Sequence, residues 1–397
     1  MHDTAATRHL FHLPDGVAYL DGNSLGPMPK AAPERIARLT AEWRDRLIGG
    51  WNGGWDGAGW MAAPTGLGDR IGALIGAPAG TVVTGDTLSV KLFQALTAAK
   101  ALVPDRRVIL SDEGNFPSDL YVAQGVARLM GAELRTAAPA AVAEAITEEV
   151  AVLMITEVDY RTGRRHDMGA LTRAAHAAGA LTVWDLAHSA GTLAVDLAGA
   201  NADFAVGCTY KYLNGGPGAP AFVYVPERMQ DRARPALEGW LGHRAPFDFD
   251  PAYVPDPGIG RMRVGTPPMI QMAALDAGLA AFETTTMSDL RAATVALQER
   301  FIEGVEAATD LALASPREAS MRGGHVSFRH AEGYAVMQAL IARGVVGDFR
   351  APDILRFGFC PLYNDTGDVD RAVSAMAEIL DRRLWDAPEH KARKAVT

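Results

Sequence analysis

The chain has 397 residues, with 38 Lys and Arg against 47 Asp and Glu, a formal net charge of −9, and 48% hydrophobic residues. An acidic balance of this kind excludes the basic face of a nucleic-acid binder, and the length suits one large and one smaller domain or two comparable ones. The two cysteines, Cys208 and Cys360, cannot make a disulfide framework. No apolar run reaches the ~18 residues of a membrane helix, and residues 1–20 lack the apolar core of a signal peptide. The expectation is a soluble, cytoplasmic protein.

In chain order, residues 1–30 read as an arm, with a short strand at Val17–Leu20 and a turn at Asp21-Gly22-Asn23. Pro33 can open a helix running through Ile36, Leu39, Trp43 and Leu47. The stretch from Ile48 to Trp60 holds Trp51, Trp55 and Trp60 among many glycines and is a poor helix. It reads equally as a loop pinned by its rings or as a wall of an aromatic pocket.

An α/β rhythm begins near residue 64. A helix over Leu67–Ile75 precedes a strand at Thr81-Val82-Val83. Gly85-Asp86-Thr87-Leu88-Ser89 then leads into a helix through Leu92, Phe93, Leu96 and Ala99. Such a glycine turn is a ready anion site, or else a plain helix cap by Thr87 or Ser89. Val108-Ile109-Leu110 is a buried strand that ends in Ser111–Asp119, and Val150–Ile155 is an unbroken apolar strand covered on both faces. A helix capped by Asp167, with Leu171, Ala174, Ala175 and Ala178 on one face, returns the chain to the strand Leu181–Asp185. Strand, helix, strand at this spacing means parallel pairing through a right-handed crossover, with ligands gathering at the carboxyl ends, where Asp185 and His188 fall.

Ala221–Val225 continues the sheet, residues 240–243 and 246–258 are loop, and a long helix follows Pro268. His325–Phe328 is a strand. In Asp353–Phe359, alternation sets Leu355, Phe357 and Phe359 on one face and Arg356 on the other. The basic cluster Lys391-Ala392-Arg393-Lys394 reads as a solvated, frayed tail.

The chemistry concentrates between residues 181 and 218. A carboxylate at the end of a buried strand needs a cationic partner, and a protonated pyridine nitrogen would be one. Lys211, between Tyr210 and Tyr212 and ahead of Asn214-Gly215-Gly216, could hold the same ring as a Schiff base. Either residue alone reads as a turn acid or a solvated lysine; together they suggest an aldehyde cofactor.

Asp185-Leu186-Ala187-His188 followed by Tyr210-Lys211-Tyr212-Leu213-Asn214-Gly215-Gly216 resembles the kynureninase family, a branch of the aspartate-aminotransferase-like enzymes that use pyridoxal phosphate. The resemblance continues in Leu20-Asp21-Gly22-Asn23-Ser24-Leu25-Gly26, Asn115–Asp119, Arg263–Pro268 and Leu355–Phe359. It implies a fold-type-I α/β architecture, a mainly parallel seven-stranded sheet with a smaller C-terminal α+β domain. The divisions expected are an N-terminal arm and helix over 1–45, a cofactor domain over 46–275 and a small domain over 276–397.

The resemblance further implies hydrolysis of L-kynurenine or its 3-hydroxy form between Cβ and Cγ, by a homodimer with shared active sites. It casts Lys211 as the Schiff-base lysine, Asp185 as partner of the ring nitrogen with His188 behind it, and Tyr210 as acid–base group. Leu88 and Ser89 lie against the phosphate, and Phe116 stacks on the ring beside Pro117, Ser118 and Asp119. Trp240 and Thr266 reach the phosphate from the neighbouring subunit, while Arg356, Asn23 and Ser24 meet the substrate. No metal is expected. Ser89 departs from a usual threonine but keeps the hydroxyl. The rivals are an aminotransferase, which would share Asp185, Lys211 and Arg356, and a desulfurase-like lyase. Lyases of that kind carry His where Tyr210 stands and a cysteine on a mobile loop, whereas Cys360 follows Arg356 in an expected strand.

Overall fold

The computed structural model describes residues 6–393. Among the described residues thirteen strands form three sheets. β1 (Ala18–Tyr19) pairs in parallel with β11 (Val345–Val346). The large sheet comprises β2 (Val82–Thr84), β3 (Val108–Asp112), β4 (Glu133–Ala137), β5 (Val150–Thr156), β6 (Leu181–Asp185), β7 (Phe204–Gly207) and β8 (Phe222–Tyr224). Its order is β2-β8-β7-β6-β5-β3-β4, and only β8 runs against the rest. The small sheet is antiparallel and contains β9 (Ala312–Leu313), β10 (His325–Arg329), β12 (Asp348–Arg350) and β13 (Ile354–Gly358), in the order β12-β13-β10-β9. The expected mainly parallel seven-stranded sheet with a smaller α+β unit is what the chain forms.

Apolar residues on both faces of β3, β5 and β6 account for the layers. Ile109, Val152, Met154 and Val183 join the core under helices Leu88–Leu102 and Pro117–Met130. Leu110, Leu153, Ile155 and Trp184 join the opposite core, with Leu67, Ile71, Leu171 and Leu275 from other helices. Successive side chains of a strand face opposite ways, so both layers must be apolar. A third core, with Phe301, Phe328, Phe357 and Phe359, lies under the small sheet. Helix Met287–Ala308 joins the last two, with Leu290 in the core of Leu110 and Trp184 and Phe301 and Val305 in that of the small sheet.

Asp167 caps helix Met168–Ala177 by accepting from the Ala170 N–H, as its sequence suggests. Other boundaries differ. The helix expected over Leu67–Ile75 begins at Ala63, because Pro64 suits a first turn and the glycines do not break it. Gly68 is needed there, since a Cβ would run into the Val82 carbonyl. The tryptophan and glycine stretch holds a one-turn helix at Gly50–Gly53. Trp60 is buried in a cluster with Leu39 and Ala273, meets Trp51 edge-on at 5.5 Å, and donates its indole N–H to Glu42. Packing thus accounts for these rings. The tail is not frayed as far as it is described: Ala392 accepts from Tyr334, and Lys391 pairs with Asp386. Lys394, like residues 1–5 of the arm, lies outside the described residues.

The arm is fastened to the C-terminal part of the chain. Arg8 is hydrogen-bonded to Asp368 and to the Tyr363 carbonyl, and Asp368 closes the capping box of helix Thr366–Asp381. The segment after β1 runs beside β13, where the Gly358 N–H donates to the Leu20 carbonyl, and on to the loop after β7.

Candidate active site

Asp185 is the last residue of β6 and lies opposite Thr156, the last of β5. It is buried, and its carboxylate accepts from the Ala187 N–H at 2.8 Å and the Thr156 hydroxyl at 3.3 Å. Beside it stands a second buried acid, Asp119, in the first turn of helix Pro117–Met130. Burial and the Asp185 charge push the Asp119 carboxyl well above its usual range, so this pair holds one proton and one charge. Burial also raises Asp185, and Lys211 opposes that rise.

One turn beyond Asp185, His188 is buried with Nε2 3.0 Å from the Lys211 Nζ. Burial, then the lysine charge, lowers its pKa well below the usual imidazole value. The ring is therefore neutral, Nε2 accepts from the Lys211 Nζ, and Nδ1 carries the hydrogen. Lys211 lies in the loop after β7, with Nζ 5.7 Å from the centre of the Tyr210 ring. Burial, then Cys208, raises the Tyr210 phenol above its ordinary value, so it stays protonated through the neutral range.

The loop is held from beneath. The Lys211 carbonyl accepts from the Asn214 N–H at 2.9 Å, and Asn214 adopts a left-handed φ of 57°. The arm closes over it: the Gly26 N–H donates to the Tyr210 carbonyl at 2.8 Å. A Cβ on Gly26 would lie 2.5 Å from the Lys211 carbonyl oxygen, so only glycine admits this approach.

Around this centre the expected residues fall unequally. Leu88 and Ser89 open helix Leu88–Leu102, where Thr87 makes no side-chain cap; the first-turn N–H groups are left to an anion. Phe116 is the cap residue of helix Pro117–Met130, 41% exposed, with Tyr160 edge-on at 5.0 Å, and Pro117 and Ser118 form the first turn. Asn23 is fully buried with neither side-chain polar atom hydrogen-bonded. Ser24 reaches Arg356, whose Nη2 is 3.0 Å from its hydroxyl. The arm and β13 thus meet. Trp240 and Thr266 stand apart on exposed surface, and the Trp240 ring packs against Phe247 and Phe249. Among the described residues neither makes a hydrogen bond or ring contact with Lys211, Asp185 or His188.

Sequence reading missed Asp348 and Arg350. In β12, Asp348 lies opposite Arg356 of β13. It accepts from the Arg356 Nε at 2.7 Å and from Arg356 Nη2, and Arg350 Nη2 reaches the same carboxylate at 2.7 Å. The two arginines hold the Asp348 carboxyl down to about 2 against the effect of burial. A signal was present: Asp348-Phe349-Arg350 alternates, with Phe349 in the small-sheet core.

A pyridoxal group fits these residues. Asp185 is a buried acceptor, the Asp119 Oδ2 and His188 Nδ1 are buried without partners, and an uncapped helix end stands ready for a phosphate. Cys360 lies just past β13, buried and with its thiol pushed up to about 12 by burial, a poor source of thiolate.

The fold is that of pyridoxal-phosphate lyases and desulfurases. A cysteine desulfurase from Thermococcus onnurineus NA1 superposes with a TM-score of 0.81 over 96% of this chain and 99% of its own, at 20% identity. A variant of C-DES with glycine covalently linked to its PLP cofactor gives 0.81 at 17% identity, over 94% and 99%. Sequence narrows the class. Kynureninase of Burkholderia pseudomallei strain 1106a is 51% identical over 404 residues, covering 99% of this chain and 96% of that protein. Kynureninase of Deinococcus radiodurans is 52% identical over 95% and 93% of the two chains. The family model of the kynureninase C-terminal domain matches residues 290–376. The chain belongs to the kynureninase family.

Proposed function

We propose that this chain hydrolyses L-kynurenine, or its 3-hydroxy form, between Cβ and Cγ. The products are anthranilate, or 3-hydroxyanthranilate, and L-alanine, and pyridoxal 5'-phosphate is the cofactor. The observation that carries this reading is kinship with curated kynureninases across 99% of the chain, joined to a site in which Asp185, His188 and Lys211 converge.

When bound, the cofactor supplies an electron sink for charge developing at the substrate Cα. Asp185, fixed by Thr156 and the Ala187 N–H, would accept from the ring N–H and keep that nitrogen protonated. Asp119 would share its proton with Asp185 and hold the pair at one negative charge. The N–H groups of Leu88 and Ser89 and the Ser89 hydroxyl would take the phosphate, and Phe116 would cover one ring face beside Pro117 and Ser118. Lys211 would anchor the cofactor at rest and, once displaced by substrate, move the Cα proton. His188 lies against its amine and accepts a hydrogen bond from it.

Tyr210 is the group for the later proton transfers, at the ketone and then at Cβ. Its raised pKa makes it a weak acid in water, yet a developing carbanion is a far stronger base, so transfer to carbon runs downhill. Asn23, Ser24 and the Arg356 region would face the amino-acid end of the substrate.

A homodimer completes the reading. Trp43, Leu47, Ile48, Phe247 and Phe249 are large exposed apolar side chains, a pattern that suits a subunit contact. Trp240 and Thr266 would then serve the partner's phosphate site. No helix among the described residues is long and apolar enough to cross a membrane, and we place the enzyme in the cytoplasm.

The purified holoprotein, given L-kynurenine, is expected to release anthranilate and L-alanine in equal amounts. A keto acid without alanine would indicate transamination instead.

A further inference from the structure

Arg356 carries the expected role of clasping the substrate carboxylate, but its fork is already engaged. Of the five N–H groups of a guanidinium, the Nε one donates to Asp348 Oδ1, and those of Nη2 serve Asp348 Oδ2 and the Ser24 hydroxyl. Nη1 donates to the Tyr160 carbonyl, and the side chain is only 2% exposed. One N–H remains, which is too few for two parallel bonds to a second carboxylate.

Arg350 is differently placed. Its side chain is 32% exposed; Nη2 meets Asp348 at 2.7 Å and Ser24 at 3.4 Å, and among the described residues Nη1 bonds only the neighbouring Phe349 carbonyl and Nε has no hydrogen-bond partner. Its partners Asp348 and Ser24 both also bond Arg356, which sets it beside the buried arginine and the arm rather than alone on the outer surface. Two guanidinium groups therefore share one carboxylate, Asp348. The other nearby acid, Asp21, is pushed up to about 8 by burial and by Asp348, and does not supply a second full charge at neutral pH. A net positive charge with free N–H groups lies beside Ser24 of the arm.

We infer that Arg350 is a specificity residue for the substrate's α-carboxylate: Asp348 locks Arg356 and orients Arg350, whose unbonded guanidinium edge binds the carboxylate jointly with the remaining Arg356 N–H. This rests on the kynurenine reading and adds a residue to it. A charge-assisted, two-point contact is among the stronger polar contacts a site can offer.

The test uses the holoenzyme and the two reaction products as inhibitors, since L-alanine carries the α-carboxylate and anthranilate does not carry that group. For Arg350→Gln, the KM for L-kynurenine and the inhibition constant of L-alanine are expected to rise together by roughly 10- to 100-fold. The inhibition constant of anthranilate and the cofactor absorbance should stay at wild-type values. Arg350→Lys keeps the charge without the fork and is expected to recover part of the loss. Unchanged KM and unchanged L-alanine inhibition in an active, folded Arg350→Gln protein would overturn the inference. So would equal weakening of L-alanine and anthranilate, which marks a general disturbance of the pocket. A wild-type protein that forms neither product would instead overturn the kynurenine reading, so the two failures are distinguishable.

Discussion

At the residue scale the central object is a set of buried charges held in unequal states. Asp119 and Asp185 share one proton, His188 is neutral, and the Tyr210 phenol stays protonated. Tyr210→Phe keeps the ring and removes the hydroxyl. That variant is expected to exchange the substrate Cα proton at the wild-type rate while releasing anthranilate roughly 10²–10⁴-fold more slowly. A wild-type rate of anthranilate release would make Tyr210 a bystander. Asp348 gives a second expectation. Its folded pKa, about 2, lies below the unfolded value, so its contribution is complete above pH 4 and is lost as pH falls towards 2. Asp348→Asn leaves two guanidinium groups without their carboxylate and should cost roughly 3–5 kcal/mol at neutral pH. The gap from wild type should narrow between pH 4 and pH 2 in urea titrations; a constant gap would contradict the charge state assigned to Asp348. Asp185, Lys211 and Arg356 were legible in the sequence because each sits in a strand end or a motif with its own signature. Asp348 and Arg350 were not, since their meaning depends on the β12–β13 register, which alternation in one strand does not supply.

At the element scale the site depends on three segments far apart in sequence: the turn at 21–26, the loop at 208–218, and β13. The parallel sheet was legible because β5 and β6 are apolar on both faces and are joined by a helix with a clear cap at Asp167. The 48–60 segment was legible only in part. Ring packing and a pocket wall read equally well there, and Gly50, whose backbone lies against the Trp60 ring, belongs to the packed alternative. The arm's closure over the lysine loop was likewise hidden, since nothing local to Gly26 reports its neighbours. Gly26→Ala should be informative, because the groups its methyl would meet include the Lys211 carbonyl and the Asn214 Cα at 2.8 Å, both backbone. We expect a loss of roughly 1–3 kcal/mol and a displaced lysine loop. Thermal melting and cofactor retention check this; a variant as stable and as active as wild type would show that the arm does not need the close approach.

At the scale of the whole molecule, Trp240 and Thr266 lie on exposed surface away from the lysine's contacts. Exposed in one chain, they gain a role only if a second chain brings its phosphate site to them. A complementation experiment decides this. When Lys211→Ala and Trp240→Ala proteins are unfolded together and refolded as mixed dimers, hybrids should hold one intact site, giving about a quarter of wild-type activity from two near-inactive parents. No recovery in verified hybrids would place Trp240 in its own chain's site, and a fully active Trp240→Ala parent would place it outside catalysis. The claim on which everything else depends is that Lys211, between His188 and Asp185, anchors the cofactor. Borohydride reduction of the resting holoenzyme followed by peptide mass spectrometry tests it directly. The cofactor mass is expected on Lys211 alone, and its recovery on any other lysine would contradict the site described.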